Sequence, residues 1–338
     1  MIGYYVHHQG RGHLHRALAV AAQCEVPVTG LSSLGRPAAW RGAWIQLPRD
    51  DDGRATDDPT AHGRLHWAPV HHRGLGERMA TIAGWLAEQQ PALLVSDVSV
   101  EVTLLARLLG TPVVVAAMRG DRRDAAHQLG YDVADTLLAP WPAALPEPGW
   151  PDRWLAKTVW TGGFSRFDNR PRTGVPRPGT VLLMLGAGGH EITGRQVDAA
   201  RRATPGWRWE LLGQDGNWTA DPWPQLTSAE VVVTHGGQNA VAECAAARRP
   251  AVIVPQPRPF GEQHATARAL DRAGLAVAAP DGWPASERWP TLLSRAAAID
   301  GQRWSRYAPG DGARRAARTL DALARNHRDR PVRTEGPA

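Results

Sequence analysis

Six short apolar runs constrain this chain more than any other feature: Ile2–Val6, Leu93–Ser96, Pro112–Ala116, Val181–Leu185, Val231–Thr234 and Ala251–Val254. Runs of this length, without polar alternation, suit strands buried on both faces. Val26–Leu31, Trp44–Leu47 and Trp209–Leu212 are further strand candidates. Helical segments separate them: His13–Gln23, the set Leu75, Met79, Ile82 and Leu86, then Val100–Leu109, Ile192–Ala203, Gln238–Ala247, Gly261–Ala273 and Arg314–Arg325. Strands alternating with helices imply parallel pairing through right-handed crossovers, an α/β architecture.

The alternation occurs twice. Between the two series, Pro140, Pro142, Pro146, Pro148, Pro151, Pro171, Pro176 and Pro178 exclude a long helix or a central strand. A chain of 338 residues has room for two cores. The expected organisation is a first doubly wound, Rossmann-like domain over 1–160, a second over 161–326, and a polar tail over 327–338. Two such domains facing one another would bind ligands in a cleft beyond the carboxyl ends of their strands.

Composition narrows the function. Net charge is +6, and Lys157 is the sole lysine among 39 basic residues. That skew, with abundant Ala, Gly, Pro and Trp, reads as a GC-rich genome; attraction to an anionic membrane surface is the other reading. Dense basic runs interleaved with aromatics are absent, which argues against nucleic-acid binding. Cys24 and Cys244 have no metal-like spacing, and the pairs His7–His8 and His71–His72 lack partners at zinc-ligand spacing. Neither a metal nor another cofactor is expected. No run approaches the roughly 20 apolar residues of a membrane span. The chain opens on Ile2–Val6 without the pattern of a secretory signal, so a cytoplasmic protein is expected, with peripheral contact at the inner face of the membrane as an extension of the charge argument.

The chemistry concentrates in Val231–Glu243. A buried strand delivers the chain to His235-Gly236-Gly237, where the backbone can approach a ligand closely. A helix then opens at Gln238, and its free N–H groups and positive dipole end suit a pyrophosphate. His235 and Asn239 add side-chain donors. Glu243 lies one turn beyond Asn239 on the same face. After the strand ending at Pro255, Glu262-Gln263 opens the next helix, a carboxylate beside an amide that matches sugar hydroxyls.

The pattern His-x-Gly-x-Asn-x-x-x-Glu, followed by Pro and Glu-Gln, resembles the UDP-glycosyltransferases. It also resembles the C-terminal domain of glycosyltransferase family 28, the group of the N-acetylglucosaminyltransferase that forms lipid II. The resemblance implies a GT-B fold and a UDP-sugar donor. It implies that His235 and Asn239 contact the donor phosphates, Glu243 the ribose, and Glu262 and Gln263 the transferred sugar. Trp218 and Thr219 stand where the group holds uracil, and Gly188-Gly189 match its phosphate-side loop.

The first loop, His7-His-Gln-Gly10-Arg-Gly12-His13, is not a dinucleotide fingerprint, because His15 stands where the third glycine is needed. Its Gly-x-Gly-His form resembles the N-terminal loop of lipid-acceptor GT-B enzymes. An imidazole titrates near neutral pH and suits a general base, so His13 is the expected base. Structural alternatives for it are a helix cap or a phosphate contact. Asp97 is either its orienting partner, the base itself, or an N-cap for the helix that follows. Loops Arg49–Gly74 and Arg119–Asp124 carry Asp50-Asp51-Asp52, His71-His72, Arg119, Arg122 and Arg123. They read as solvated faces or as contacts to a phosphate on a lipid-linked, cell-envelope acceptor. The expected activity is therefore an inverting, metal-independent bacterial hexosyltransferase. The alternatives are a UDP-N-acetylglucosamine 2-epimerase-like enzyme and a non-catalytic UDP-sugar-binding subunit.

Overall fold

The structure is a computed structural model that describes residues 1–51, 57–186, 191–213, 219 and 221–328. Among the described residues, two all-parallel sheets form. The first contains β1 (Ile2–Val6), β2 (Val28–Ser32), β3 (Trp44–Gln46), β4 (Leu93–Asp97), β5 (Val113–Ala116), β6 (Thr136–Ala139) and β7 (Thr158–Trp160), in the order β3-β2-β1-β4-β5-β6-β7. The second contains β8 (Thr180–Met184), β9 (Arg208–Leu212), β10 (Val231–Thr234), β11 (Ala251–Ile253) and β12 (Val277–Ala278), in the order β12-β11-β10-β8-β9. These are the two doubly wound patterns, and each reverses direction once, between β1 and β4 and between β8 and β10.

The apolar runs are continuous because the strands are covered on both faces: every residue of β1, β4, β5, β8 and β10 is buried. Register then places the chemistry. Val6 pairs with Asp97, so Asp97 lies beside the loop that leaves β1. Thr234 pairs with Met184, so the His235 turn lies beside the loop that leaves β8. One apolar cluster includes Tyr5, Val115 and Trp141 with Leu182, Val232 and Trp304, so the two halves share buried surface.

The structure extends the sequence reading at three places. The proline-rich stretch holds the short helix Asp152–Leu155 and β7, a three-residue edge strand. Ala125–Val133 and Trp289–Ala297 are helices the spacing argument did not find. The C-terminal helix, Gly312–Arg328, returns to the first sheet. Ala316, Ala317, Leu320 and Ala324 pack in one cluster with Ile2, Tyr4, Val20 and Leu93. Asp321 accepts from the backbone of Glu25 and Val26 at 3.0 Å each. The second unit, placed at 161–326, thus gives its last helix to the first unit's core, and that helix runs into the segment assigned to a polar tail.

Candidate active site

The loops after β1, β4 and β5 face those after β8, β10 and β11 across a cleft of about 1270 Å³. Its N-terminal wall is organised around Asp97, which is fully buried. Arg16, on the helix Gly12–Ala21, grips both carboxylate oxygens: Nε donates to Oδ2 at 3.0 Å and Nη2 to Oδ1 at 2.7 Å. His13, three residues earlier on the same helical face, has Nδ1 2.8 Å from Oδ1. Arg16 Nη2 also lies 3.0 Å from that nitrogen. A protonated ring nitrogen cannot accept, and the shorter contact is to the charged acceptor. We therefore assign Nδ1–H to Asp97, which leaves Nε2 with a lone pair.

Burial acts to raise the Asp97 pKa, but Arg16 and His13 outweigh it and hold it at about 2. An anion this well held, with no exposure, is a poor proton acceptor, so its geometry is that of an orienting group rather than a base. Nor is Asp97 a helix cap. Ser99 caps the helix Val100–Leu108 by accepting from Val102 N at 3.2 Å. Arg11, not His13, occupies the N-cap of the first helix.

Across the cleft, Gly237 is the N-cap of the helix Gln238–Ala247 and makes no side-chain cap bond. The turn before it has little room: a Cβ at Gly236 would lie 2.4 Å from Gln263 O, and one at Gly237 2.5 Å from the His235 ring. His235 Nδ1 accepts from Gly237 N at 3.0 Å, so the ring proton sits on Nε2. Gln263 Oε1 accepts from Gly236 N at 3.2 Å and Gln256 N at 2.9 Å, tying the two loops together. Only its NH2 remains for a ligand. Glu262 opens the helix Glu262–Arg272 and lies 4.0 Å from Arg122 of the opposite wall.

Several predicted residues close the cleft as well as line it. Asn239 donates to Gly12 O at 3.3 Å, and Gln238 Oε1 accepts from Arg16 Nη1. Glu243 is buried, and Oε1 accepts from Arg166 Nε at 2.9 Å. Burial pushes its pKa up, and Arg166 only partly opposes this. Thr219 lines the cleft, its hydroxyl accepting from Asp221 N at 3.2 Å. Gly188, Gly189 and Trp218 lie outside the described residues.

The loops read as solvated or phosphate-binding divide between exposed and structural residues, and Asp52 lies outside the described residues. Arg119 is buried against Glu147 at 3.0 Å and lies over the Trp141 ring. Arg123 pairs with Asp121 at the surface. His72 caps the helix Arg73–Gln89, and its neighbour His71 is exposed. His66, Asp124 and His127 have ligand atoms close enough for a metal, but both ring nitrogens of His127 are taken. Nδ1 lies 2.5 Å from Asp124 Oδ2, and Nε2 faces Arg122 Nη1 at 2.9 Å. Burial and that guanidinium lower the His127 pKa to about 4. Phe260 reaches over from the second half, packing on His127 and Arg122, while its carbonyl accepts from Asp121 N at 2.8 Å.

Comparison with known proteins agrees with this geometry. Residues 221–282 match the glycosyltransferase family 28 C-terminal domain. An uncharacterized glycosyltransferase of Methanopyrus kandleri is 39% identical over 96 residues, 27% of this chain and 26% of that one. The UDP-N-acetylglucosamine–N-acetylmuramyl-(pentapeptide) pyrophosphoryl-undecaprenol N-acetylglucosamine transferase of Sorangium cellulosum is 32% identical over 153 residues, 42% of this chain and 37% of that one. The crystal structure of Acinetobacter baumannii MurG superposes with a TM-score of 0.60 at 19% identity, covering 96% of this chain and 99% of that one. The chain has a GT-B fold, and within it residues 221–282 are similar to the family 28 C-terminal domain.

In this GT-B cleft, two residues beyond those named from sequence stand at the centre. Arg16 had a signal, since three residues separate it from His13 on a helix. Arg166 had none: it lies inside the proline-rich stretch, 77 residues from the Glu243 it binds. Among the described residues, no helix is long and apolar enough to cross a membrane.

Proposed function

We propose that this chain is an inverting glycosyltransferase moving a sugar from a UDP-sugar to an acceptor hydroxyl without a metal. The observation that carries the reading is the His13–Asp97–Arg16 network facing the uncapped helix N-terminus at Gln238. The acceptor O–H gives its proton to His13 Nε2 as its oxygen bonds to the anomeric carbon. The bond from that carbon to the diphosphate breaks, and UDP leaves. His235, Asn239 and the helix N–H groups meet the charge on the leaving group. Glu243 takes the ribose, and Glu262 with the Gln263 NH2 takes the sugar. Trp218, Gly188 and Gly189 remain the proposed uracil and phosphate contacts.

The acceptor side mixes polar groups with an apolar surface, to which Leu65, Trp67, Met79, Val100, Met118 and Tyr131 contribute. Arg119 is committed to Glu147 and Arg123 to Asp121, so of the three arginines read as phosphate contacts only Arg122 lines the cleft. An acceptor with an apolar body is the better fit. Incubation with UDP-sugars, with and without acceptors, followed by mass analysis tests the activity. Products formed without any acceptor would indicate epimerisation, and binding without turnover a non-catalytic subunit.

Two expected results bear on the donor. A carboxylate matches a 2′,3′-diol, and losing one hydrogen bond to a charged group costs about ten- to a hundredfold in affinity. UDP should therefore bind that much tighter than dTDP by calorimetry, and Glu243→Ala should shrink the gap. Equal affinities in the wild type would defeat the ribose assignment. Gly236→Ala must shift the turn away from Gln263 O. Overpacking of this kind costs the fold about 1–3 kcal/mol, and because the displaced turn no longer presents the same N–H groups, UDP affinity should fall with circular dichroism unchanged. Unaltered UDP binding would show that the turn does not touch the nucleotide.

A further inference from the structure

The reaction above leaves His8 and Asp50 unused, although both line the cleft. The His8 side chain is 6% exposed, yet neither ring nitrogen makes a hydrogen bond. Asp50 Oδ1 is buried and also without a hydrogen bond. His8 Nδ1 and Asp50 Oδ1 lie 3.8 Å apart. That is too far for a bond between them, but it suits one shared atom at about 2.8 Å from each.

The pair is rigidly mounted. Arg78, itself buried, donates to Asp50 Oδ2 at 2.7 Å, to Tyr5 Oη at 3.0 Å and to Pro48 O. Burial favours the neutral imidazole of His8, against the opposing pull of Asp50 and Asp51. A neutral ring offers one donor and one acceptor, and the carboxylate oxygen offers an acceptor only. A hydroxyl satisfies both, donating to the carboxylate and accepting from the ring. The Trp67 indole donates to Asp50 O at 2.7 Å, which sets an aromatic face beside the pair, and Met79 follows Arg78 on its helix.

We propose that His8 and Asp50 form an acceptor-specificity site that reads a second hydroxyl on an apolar ring scaffold. With Asp51 engaged by Arg49, the His8 proton is placed on Nδ1, so that hydroxyl donates to Asp50 Oδ1 and accepts from Nδ1–H, while the attacking hydroxyl lies at His13. The inference rests on the acceptor-hydroxyl reading above. Asp51 completes a possible cation cluster, with Oδ2 3.3 Å from His8 Nε2. Two guanidiniums argue against a cation: Arg49 takes both Asp51 oxygens and Arg78 takes Asp50. Among the described residues both carboxylates are already paired with a guanidinium, which leaves no net negative charge for a dication.

The test is calorimetric binding of 2-naphthol and the dihydroxynaphthalene isomers to the full chain saturated with UDP. At least one diol isomer should bind about ten- to a hundredfold tighter than 2-naphthol, the value of a hydrogen bond to a charged group. His8→Phe should reduce that preference to about threefold or less, and His8→Gln, which keeps a donor and an acceptor, should retain most of it. A wild type with no preferred isomer, including one that binds none, overturns the proposal. So does a preference undiminished in His8→Phe. Manganese binding that is lost in His8→Phe would replace the hydroxyl with a metal. UDP affinity is measured on the same samples: a wild type that fails to bind UDP strikes the donor reading instead, whereas normal UDP binding without diol preference strikes this one alone.

Discussion

His13→Ala is expected to lower turnover by about 10²–10⁴-fold while leaving UDP affinity within about twofold, because a positioned base acts in the transition state and not on the bound donor. Two features make the expectation sharp. The imidazole is oriented by a buried carboxylate, and it lines the cleft that the second half closes. Turnover should therefore fall without a matching rise in the Michaelis constant for the donor. His13→Gln should not rescue it, since an amide can occupy the position but cannot take the proton. Near wild-type turnover in His13→Ala would remove His13 from the mechanism. Asp97 is then a poor substitute, because it is fully buried and Arg16 still grips both of its oxygens.

Much of the fold was legible because parallel strands covered on both faces leave a plain signal. β1, β4, β5, β8 and β10 each read as an unbroken apolar run, and each is buried throughout. Edge elements carry less of it: β7 has three half-buried residues inside a proline-rich stretch. The amphipathic stripe of Gly312–Arg328 announces a helix, but a stripe does not say which sheet it covers, and this one crosses back to the first. The same limit applies to the site. The His235 turn and Glu262-Gln263 were readable because short-range spacing on one turn or helix fixes their geometry. Arg166 on Glu243, Arg78 on Asp50 and Phe260 on His127 join residues far apart in sequence. Residue type can be read at each position, but the partner follows from topology. This is why Asp50 looked like part of a solvated acidic run and is instead a buried, fixed carboxylate.

Asp97→Asn should destabilise the first half of the chain by about 3–5 kcal/mol, the cost of removing one member of a buried ion pair and leaving the other uncompensated. Arg16 would keep its charge with little exposure and with no carboxylate in contact, since its remaining partners are Gln238, His13 and Met118. For a unit of this size the unfolding transition should fall on the order of 10 °C. Replacing both members, as in Arg16→Met with Asp97→Leu, separates the roles of the network. Apolar groups remove the uncompensated charge, so most of the stability should return. Turnover should not, because His13 loses the acceptor that fixes its tautomer. Acid titration supplies a second check. The Asp97 pKa is about 2 in the folded protein, below the ordinary value of 3.8. The stabilisation from the ionised carboxylate is therefore present above about pH 4 and is lost as pH falls toward 2, by roughly 2 kcal/mol. The double variant should lack this component of acid unfolding. A double variant that stayed as unstable as Asp97→Asn would show that the buried charge is not the cause. One that recovered both stability and turnover would show that the network holds the fold and takes no part in the chemistry.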